Sequence, residues 1–401
     1  MSKIYIVSAK RTPIGSFCGA LKTESAAKLA AVAIKAALTE ANLPAEAVDE
    51  VILGNVVGTG QGMGPGRQAS ILAGIPAEVP AYTLNMVCGS GMKTIMDAAA
   101  HIKAGDADVV VAAGAENMSQ IPFATESNVR EGNKMGNIQL SDLLITDGLT
   151  DAFNKYHMGV TAENVVSEVN LSREQQDEFA LSSQRKAVAA IEAGKFADEI
   201  TPVEVVTRRS TNVVDTDEYP KQDASIEKLA KLRPAFKKDG SVTAGNASGI
   251  NDGGSAVIVA SEEAVKKYNL TPIMEVESYA QAGLAPEVMG LGPVPAVMKA
   301  LDKANLSIND LGLLELNEAF AGQALGVAYQ LADKLEVQVG SILEKANVNG
   351  GAIALGHPLG ASGNRIVVSL IHEMRRRNTQ YGLASLCIGG GMGTAIVLKN
   401  V

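Results

Sequence analysis

Short runs of β-branched and apolar residues alternate with longer Ala-rich stretches along most of the chain. Ile4–Ala9, Val51–Val57, Val109–Ala113, Ser255–Ala260 and Met274–Tyr279 predict strands. Many of them are apolar at successive positions, the pattern of a sheet covered on both faces. Ala26–Ala41 predicts a helix that is apolar round most of its circumference, and therefore buried, stopped by Asn42 and Pro44. Met92–Ala104 places Ile95, Met96, Ala99 and Ile102 on one helical face, with Gly105 as the stop. A similar stripe of Ile366, Val367, Leu370, Ile371 and Met374 ends in Arg375–Arg377, whose charges suit a helix C-terminus.

The middle of the chain differs. From about Gln120 to Gly245 it is more polar, with a charged helix predicted over Ser172–Ile191. Thr201–Lys238 holds eight Lys/Arg against six Asp/Glu in an otherwise acidic chain. Such an excess is ordinarily a solvated face, and otherwise a patch for an anionic ligand. The two outer parts each carry a strand, a Gly-rich turn and a helix, at Thr83–Met92 and Asn347–Ile366. This echo predicts two related α/β halves, with the polar segment inserted into the first.

Composition narrows the function. With 401 residues, 46% hydrophobic and 20% charged, the chain can build a large core, which excludes wholesale disorder. A net charge of −9 argues against a nucleic-acid coat. The three cysteines, Cys18, Cys88 and Cys387, are far apart and form no CxxC, which disfavours structural zinc and a disulfide scaffold. The first residues read as neither signal peptide nor membrane span, so a soluble protein of a reducing compartment is expected. The 40 glycines cluster at a few sites, which points to tight turns around ligands.

Four segments can carry chemistry. In Leu84–Met92 a strand leads into Cys88, then Gly-x-Gly and a helix, so Cys88 is either a nucleophile at a helix N-terminus or a small core residue. The N-terminus would favour a thiolate and lower the thiol pKa. His357 stands in Gly350–Gly363 among glycines and beside Pro358, a loop that can aim an imidazole at a thiol. Leu386–Gly393 sets Cys387 beside glycines whose N–H groups can face a ligand, or simply turn a hairpin. Asn317, in Glu315–Phe320, can cap the following helix or present its amide to a water or carbonyl. The Gly-rich segments lack GxGxxG, and GxxxxGK is absent from the chain, so no dinucleotide or P-loop motif is present in them.

Together CGSG, NEAF, GHPLGASG and CIGGGMG resemble the thiolase family, in its order and spacing, and the resemblance runs from Val7-Ser8-Ala9-Lys10-Arg11-Thr12-Pro13 to the C-terminus. It is to the short-chain, acetyl-CoA acetyltransferase members in particular. It implies two related α/β halves, each a mixed sheet covered by helices: residues 1–119 with 246–270, and 271–401, with a CoA-binding loop domain at 120–245. It implies that Cys88 is the acylated nucleophile, that His357 activates it, and that Cys387 exchanges the α-proton. Asn317, through a water, and His357 would form one oxyanion hole; the N–H groups of Cys88 and Gly389 would form the other.

The same resemblance implies that Leu149, His157, Met158, Phe236, Ala244, Ser248, Met289, Ala319 and Phe320 contact coenzyme A or the acyl group. Lys221 falls where many relatives carry Arg near the nucleotide phosphate, and it lacks the planar stacking surface. Residues 332–346 read as a surface insertion. The implied ligands are acetyl-CoA, acetoacetyl-CoA and CoA, with CoA as substrate and product rather than cofactor, and no metal, nucleic acid or membrane. A homotetramer is the implied state, assembled partly through a loop near Pro122–Ile138, and the reducing compartment expected from the N-terminus and the cysteines is taken as the cytoplasm. Two other readings stand beside this one. One is a broader-chain degradative thiolase, and the other is a silent acyl-CoA-binding relative, which would be expected to have lost Cys88 or His357.

Overall fold

The computed structural model describes residues 3–401. The main sheet is formed by β1 (Ile4–Arg11), β2 (Glu50–Gly54), β3 (Ala81–Leu84), β4 (Val109–Asn117), β5 (Asn251–Ser261), β6 (Met274–Gly283), β7 (Leu313–Leu316), β8 (Tyr381–Ile388) and β9 (Met392–Asn400). Their order is β7-β8-β9-β6-β1-β5-β4-β2-β3, and Gly15–Ser16 pairs with β5 as a tenth strand. In the first half β1, β5 and β4 are antiparallel neighbours, while β2 joins β4, and β3 joins β2, in parallel. The second half repeats this plan: β6, β9 and β8 are antiparallel, and β7 joins β8 in parallel. The halves meet where Tyr5 pairs with Glu275 and Ile6 with Met274.

Side chains on a strand alternate between faces, so each strand feeds two cores. Val109, Val111 and Ala113 of β4 pack outwards with the helix Ala26–Glu40. Val110 and Ala112 pack inwards. On β9, Ala395 and Val397 face the helix Pro293–Ala304, while Ile396 and Leu398 face inwards. The inner core is filled by two helices, Ser90–Ala104 and Leu359–Arg377, through Ile95, Met96, Ile366, Leu370 and Met374. Burying each such side chain contributes roughly 1.5–3 kcal/mol. The layers therefore run helix, sheet, paired helices, sheet, helix.

The paired helices cross closely because they carry glycine at the contact. A Cβ on Gly91 would lie 2.7 Å from the backbone N of Asn364, and one on Gly363 would lie 2.5 Å from that of Met92. The crossing sits near the N-terminus of each helix, so it brings the turn before one and the loop before the other together. The predicted stop at Gly105 holds, and the second helix ends at Arg377 as read; left-handed Gly105 and Asn378 cap the two, with basic residues in the last turn before each.

Several extents differ from the sequence reading. Val51–Val57 shortens to β2, because the N–H groups of Val56 and Val57 turn away to Glu116. The strands read at Val109 and Ser255 are longer than predicted, since β4 and β5 pair along nearly their whole length. Residues 332–346 are not a simple surface insertion. Ala332, Ile342 and Ala346 are buried in the outer core of the second half. Leu314 of β7 donates to the Lys345 carbonyl at 3.0 Å and accepts from Asn347 at 2.9 Å, so the segment covers an otherwise open sheet edge.

Candidate active site

Cys88 lies in the turn between β3 and the helix Ser90–Ala104. The preceding Val87 has φ of 47°, a costly conformation for a β-branched residue. Side chains hold it there. Asn85 Oδ1 accepts the Val87 N–H at 2.9 Å, and its Nδ2 donates to the Val56 carbonyl at 2.9 Å. Ser90 Oγ accepts the Met86 N–H at 2.8 Å and donates to the Val87 carbonyl at 2.7 Å. The strained turn aims Cys88 into a cavity of about 330 Å³ that His357, Cys387 and Gly389 also line.

His357 is buried just before the helix Leu359–Arg377. Its N–H donates to Asn251 Oδ1 at 3.0 Å, and its Nδ1 lies 2.6 Å from Ser362 Oγ. Gly356 has φ of 105°, and a Cβ there would lie 2.5 Å from Asn251 Cγ, so only glycine lets the loop pass. Cys387 is not in a loop: it is the penultimate residue of β8, buried, with the glycine turn starting after Ile388.

Burial dominates the electrostatics. It pushes the Cys88 thiol up to about 11, against hydrogen bonds from the N–H groups of Gly389 and of Cys88 itself, which pull it down. Those same donors would face an oxygen developing on a carbonyl attached to Cys88. Burial, helped by nearby Arg365, holds His357 down to about 3, so its ring is neutral at pH 7. Burial and then Cys88 push the Cys387 thiol up. Desolvation therefore works against the thiolate expected from the helix N-terminus and outweighs the N–H donors that favour it.

Asn317 does not cap a helix. The following helix is Ala321–Lys334, with Phe320 at the cap position. Asn317 is buried, its N–H donates to the Ser385 carbonyl at 3.0 Å, and neither atom of its amide has a hydrogen-bond partner. His357 Nε2 is likewise unpartnered. Next to Asn317, Glu318 accepts from Ser183 Oγ at 2.6 Å and Asn347 Nδ2 at 2.8 Å, which fixes the NEAF turn from behind.

The remaining predicted contacts divide cleanly. Leu149, His157, Met158, Phe236, Ala244, Ser248, Met289, Ala319 and Phe320 all line the cavity. His157 stacks on Phe236 at 4.5 Å, and Phe236 meets Phe320 edge-on at 6.1 Å, forming an aromatic wall. Asn317 and Lys221 do not line it. Lys221 is exposed, with Nζ 5.5 Å from the ring of Tyr219, which does. Sequence reasoning missed Asn251, Glu116, Ser362 and the strain at Val87. Of these, only Ser362 had a visible signal, its place inside the GHPLGASG segment.

Residues 4–263 match the family model described as Thiolase, N-terminal domain, and residues 270–400 match Thiolase, C-terminal domain. The chain belongs to the thiolase family. An acetyl-CoA acetyltransferase of Chromobacterium violaceum is 54% identical over 399 residues, covering 99% of this chain and 100% of that protein. One from Cupriavidus necator is 53% identical over 401 residues, covering both proteins in full (100% of each). Among solved thiolase structures, human mitochondrial 3-ketoacyl-CoA thiolase superposes with a TM-score of 0.94 at 46% identity, covering 100% of this chain and 99% of that one. Bacillus anthracis acetyl-CoA acetyltransferase gives 0.95 at 43% identity, with the same coverage. Among the described residues no helix is long and apolar enough to cross a membrane, and no cluster of three or more His, Cys, Asp or Glu could hold a metal.

Proposed function

We propose that this thiolase is an acetyl-CoA C-acetyltransferase, which condenses two acetyl-CoA to acetoacetyl-CoA and CoA and runs thiolysis in reverse. The observation that carries the reading is the meeting of Cys88, His357, Cys387 and Gly389 on one cavity, in a chain more than half identical to full-length acetyl-CoA acetyltransferases.

The steps follow from the protonation states. Cys88 attacks the acetyl carbonyl as its proton passes to neutral His357. The N–H groups of Cys88 and Gly389 hold the oxyanion. CoA leaves as a thiolate and takes a proton from Cys387, which becomes the base. Ionised in a buried site, Cys387 is strongly basic, and it removes the α-proton of the second acetyl-CoA. The enolate oxygen is held by His357, now protonated, and by a water on Asn317. The enolate carbon attacks acetyl-Cys88, and the Cys88 thiolate leaves and recovers its proton from His357. Every proton returns to its starting group except the one carried off by CoA, which the α-carbon replaces at Cys387.

These steps need no metal or further cofactor, because each is a proton transfer or an acyl transfer. We assign the CoA contacts to the cavity residues named above, with Lys221 beside Tyr219 for the nucleotide end. The halves are assigned to 1–119 with 246–270 and to 271–401, and the CoA-binding loop domain to 120–245. A cytoplasmic homotetramer is the proposed state. Exposed Phe123, Met135, Ile138 and Leu140 support assembly through that loop.

The 46% identity to a 3-ketoacyl-CoA thiolase gives the second reading, a broader-chain enzyme. Thiolysis of acetoacetyl-CoA by CoA, followed as loss of enolate absorbance, tests the proposal. Turnover on this substrate that exceeds turnover on longer homologues supports it. Preference for the longer homologues favours the second reading, and no turnover on any of them favours a silent binding protein.

A further inference from the structure

We infer that Ser362 is a positioning residue that sets the tautomer of His357, keeping the proton on Nδ1 and the lone pair on Nε2. The inference rests on the reading of His357 as the base toward Cys88. A neutral imidazole has one donor and one acceptor nitrogen, and only the tautomer with a bare Nε2 can take a thiol proton at that atom.

The geometry supplies the bias. Ser362 Oγ is 2.6 Å from His357 Nδ1 and 2.9 Å from the carbonyl oxygen of Pro358. A carbonyl oxygen can only accept. The serine hydrogen that points to it leaves the Oγ lone pairs for Nδ1–H. A serine one turn into a helix commonly bonds back to the carbonyl four residues earlier in this way. Here that habit turns the hydroxyl into an acceptor aimed at the ring. Ser362 is fully buried and His357 nearly so, so water does not compete for Nδ1. On the other side of the ring, Nε2 has no partner within the protein. The loop gives no alternative anchor for Nδ1, because the His357 N–H is committed to Asn251.

The charged and titratable groups around the pair are few. Arg365 bears on His357 from the same helix as Ser362, Glu116 on Cys88 from the end of β4, and Cys387 on Cys88 from β8. None of them contacts Nδ1, so the tautomer falls to Ser362. The same hydrogen bond strengthens when the ring becomes cationic, which favours proton transfer from Cys88.

The test compares Ser362→Ala, Ser362→Thr and Ser362→Cys with His357→Ala in the full-length protein. Acetylation of Cys88 by acetoacetyl-CoA, read as the pre-steady-state burst, should slow at least tenfold in Ser362→Ala, while KM stays within about threefold. Ser362→Thr should restore the rate. Ser362→Cys, which keeps the shape but accepts poorly, should stay slow even if the alanine variant fails to fold. Nitrogen-15 spectra of histidine-labelled protein, with His357 assigned by subtracting the His357→Ala spectrum, should show a protonated Nδ1 in the wild type and a tautomer mixture in Ser362→Ala or Ser362→Cys. A proton on Nε2 in the wild type, or full acetylation rates in both the alanine and cysteine variants, overturns the inference. If His357→Ala itself acetylates at the wild-type rate, it is the reading of His357 as base that falls.

Discussion

The carboxylate of Glu116 accepts the backbone N–H of Gly360 at 2.9 Å, tying the end of β4 in one half to the first turn of the central helix in the other. The same carboxylate accepts from Val56, Val57 and Asn55 Nδ2 at 2.9–3.1 Å. It therefore joins the segment that follows β2 to the loop that carries His357. Every one of its partners is a donor. The site also lies at a helix N-terminus, where a negative group is favoured.

Glu116→Gln is expected to destabilise the protein by about 1–3 kcal/mol, because the new amide sets donors against donors in a buried site. Its pH dependence gives a sharper check. Burial raises Glu116 from 4.5 to about 7, despite the hydrogen bonds that pull the other way. Between those values the folded state binds the extra proton. The contribution is therefore present below about pH 4.5 and is lost as pH rises through 7. Urea titrations across that window should show wild-type stability falling relative to Glu116→Gln, by up to about 3 kcal/mol at full effect. Parallel pH profiles for the two proteins would rule this out.

Burial favours the thiol form of Cys88 on the cavity that the neutral His357 also lines. Alkylation of the ligand-free protein by iodoacetamide should therefore climb about tenfold per pH unit from 7 to 9, as expected for a thiol that titrates well above the range. Pre-acetylation with acetoacetyl-CoA should block it. A flat alkylation rate above pH 7 would mean a standing thiolate–imidazolium pair, and the acylation step would have to be rewritten. Cys18 is exposed and will also react, so peptide mapping must separate the two.

Cys387→Ala is expected to separate the half-reactions. Cys88 should still take an acetyl group, though more slowly, because the turn that aims it and the N–H groups facing it are intact and the departing CoA thiolate can draw its proton from solvent instead of Cys387. Condensation should fall by roughly a thousandfold, the scale of losing a positioned acid/base, since His357 is already protonated in the acetyl-enzyme. Trapping labelled acetyl-enzyme while acetoacetyl-CoA formation is followed reads both. If acetylation is lost and condensation from preloaded enzyme persists, the two cysteines exchange roles.

The layered architecture was legible because both-face apolar strands and the two central helix stripes leave a direct pattern. Cys88, His357 and Cys387 were legible because glycine and proline surround them or follow them. What hid was anything set by specific hydrogen bonds, by burial or by distant residues. Val87 looks like an ordinary strand valine until Asn85 and Ser90 are seen bonding round it. The thiol pKa was misjudged because a helix N-terminus is visible in sequence and desolvation is not. Residues 332–346 read as surface because their partner, the open edge of β7, lies earlier in the chain. Asn317 could be read as a cap because it lies only three positions before Phe320, the true cap residue.

Chain length is the last property the cavity sets. Met289 is buried on its wall, and Met158 packs so near Gly389, a proposed oxyanion donor, that a Cβ there would lie 3.4 Å from its sulfur. On the proposed assignment of this cavity to the acyl group, a longer chain displaces one of them. In an open tunnel each added methylene would gain up to about 0.8 kcal/mol, so kcat/KM would rise with length. Against packed methionines the same methylenes cost roughly 1–3 kcal/mol. Thiolysis should therefore fall at least tenfold from the four-carbon to the eight-carbon 3-ketoacyl-CoA. Met289→Ala should narrow that ratio chiefly by raising activity on the longer substrate, while losing some stability to the space it opens. Methionine is flexible enough to swing aside without substitution. A wild-type enzyme that handles both lengths equally would show that this is what happens, and it would move the protein to the broader-chain reading.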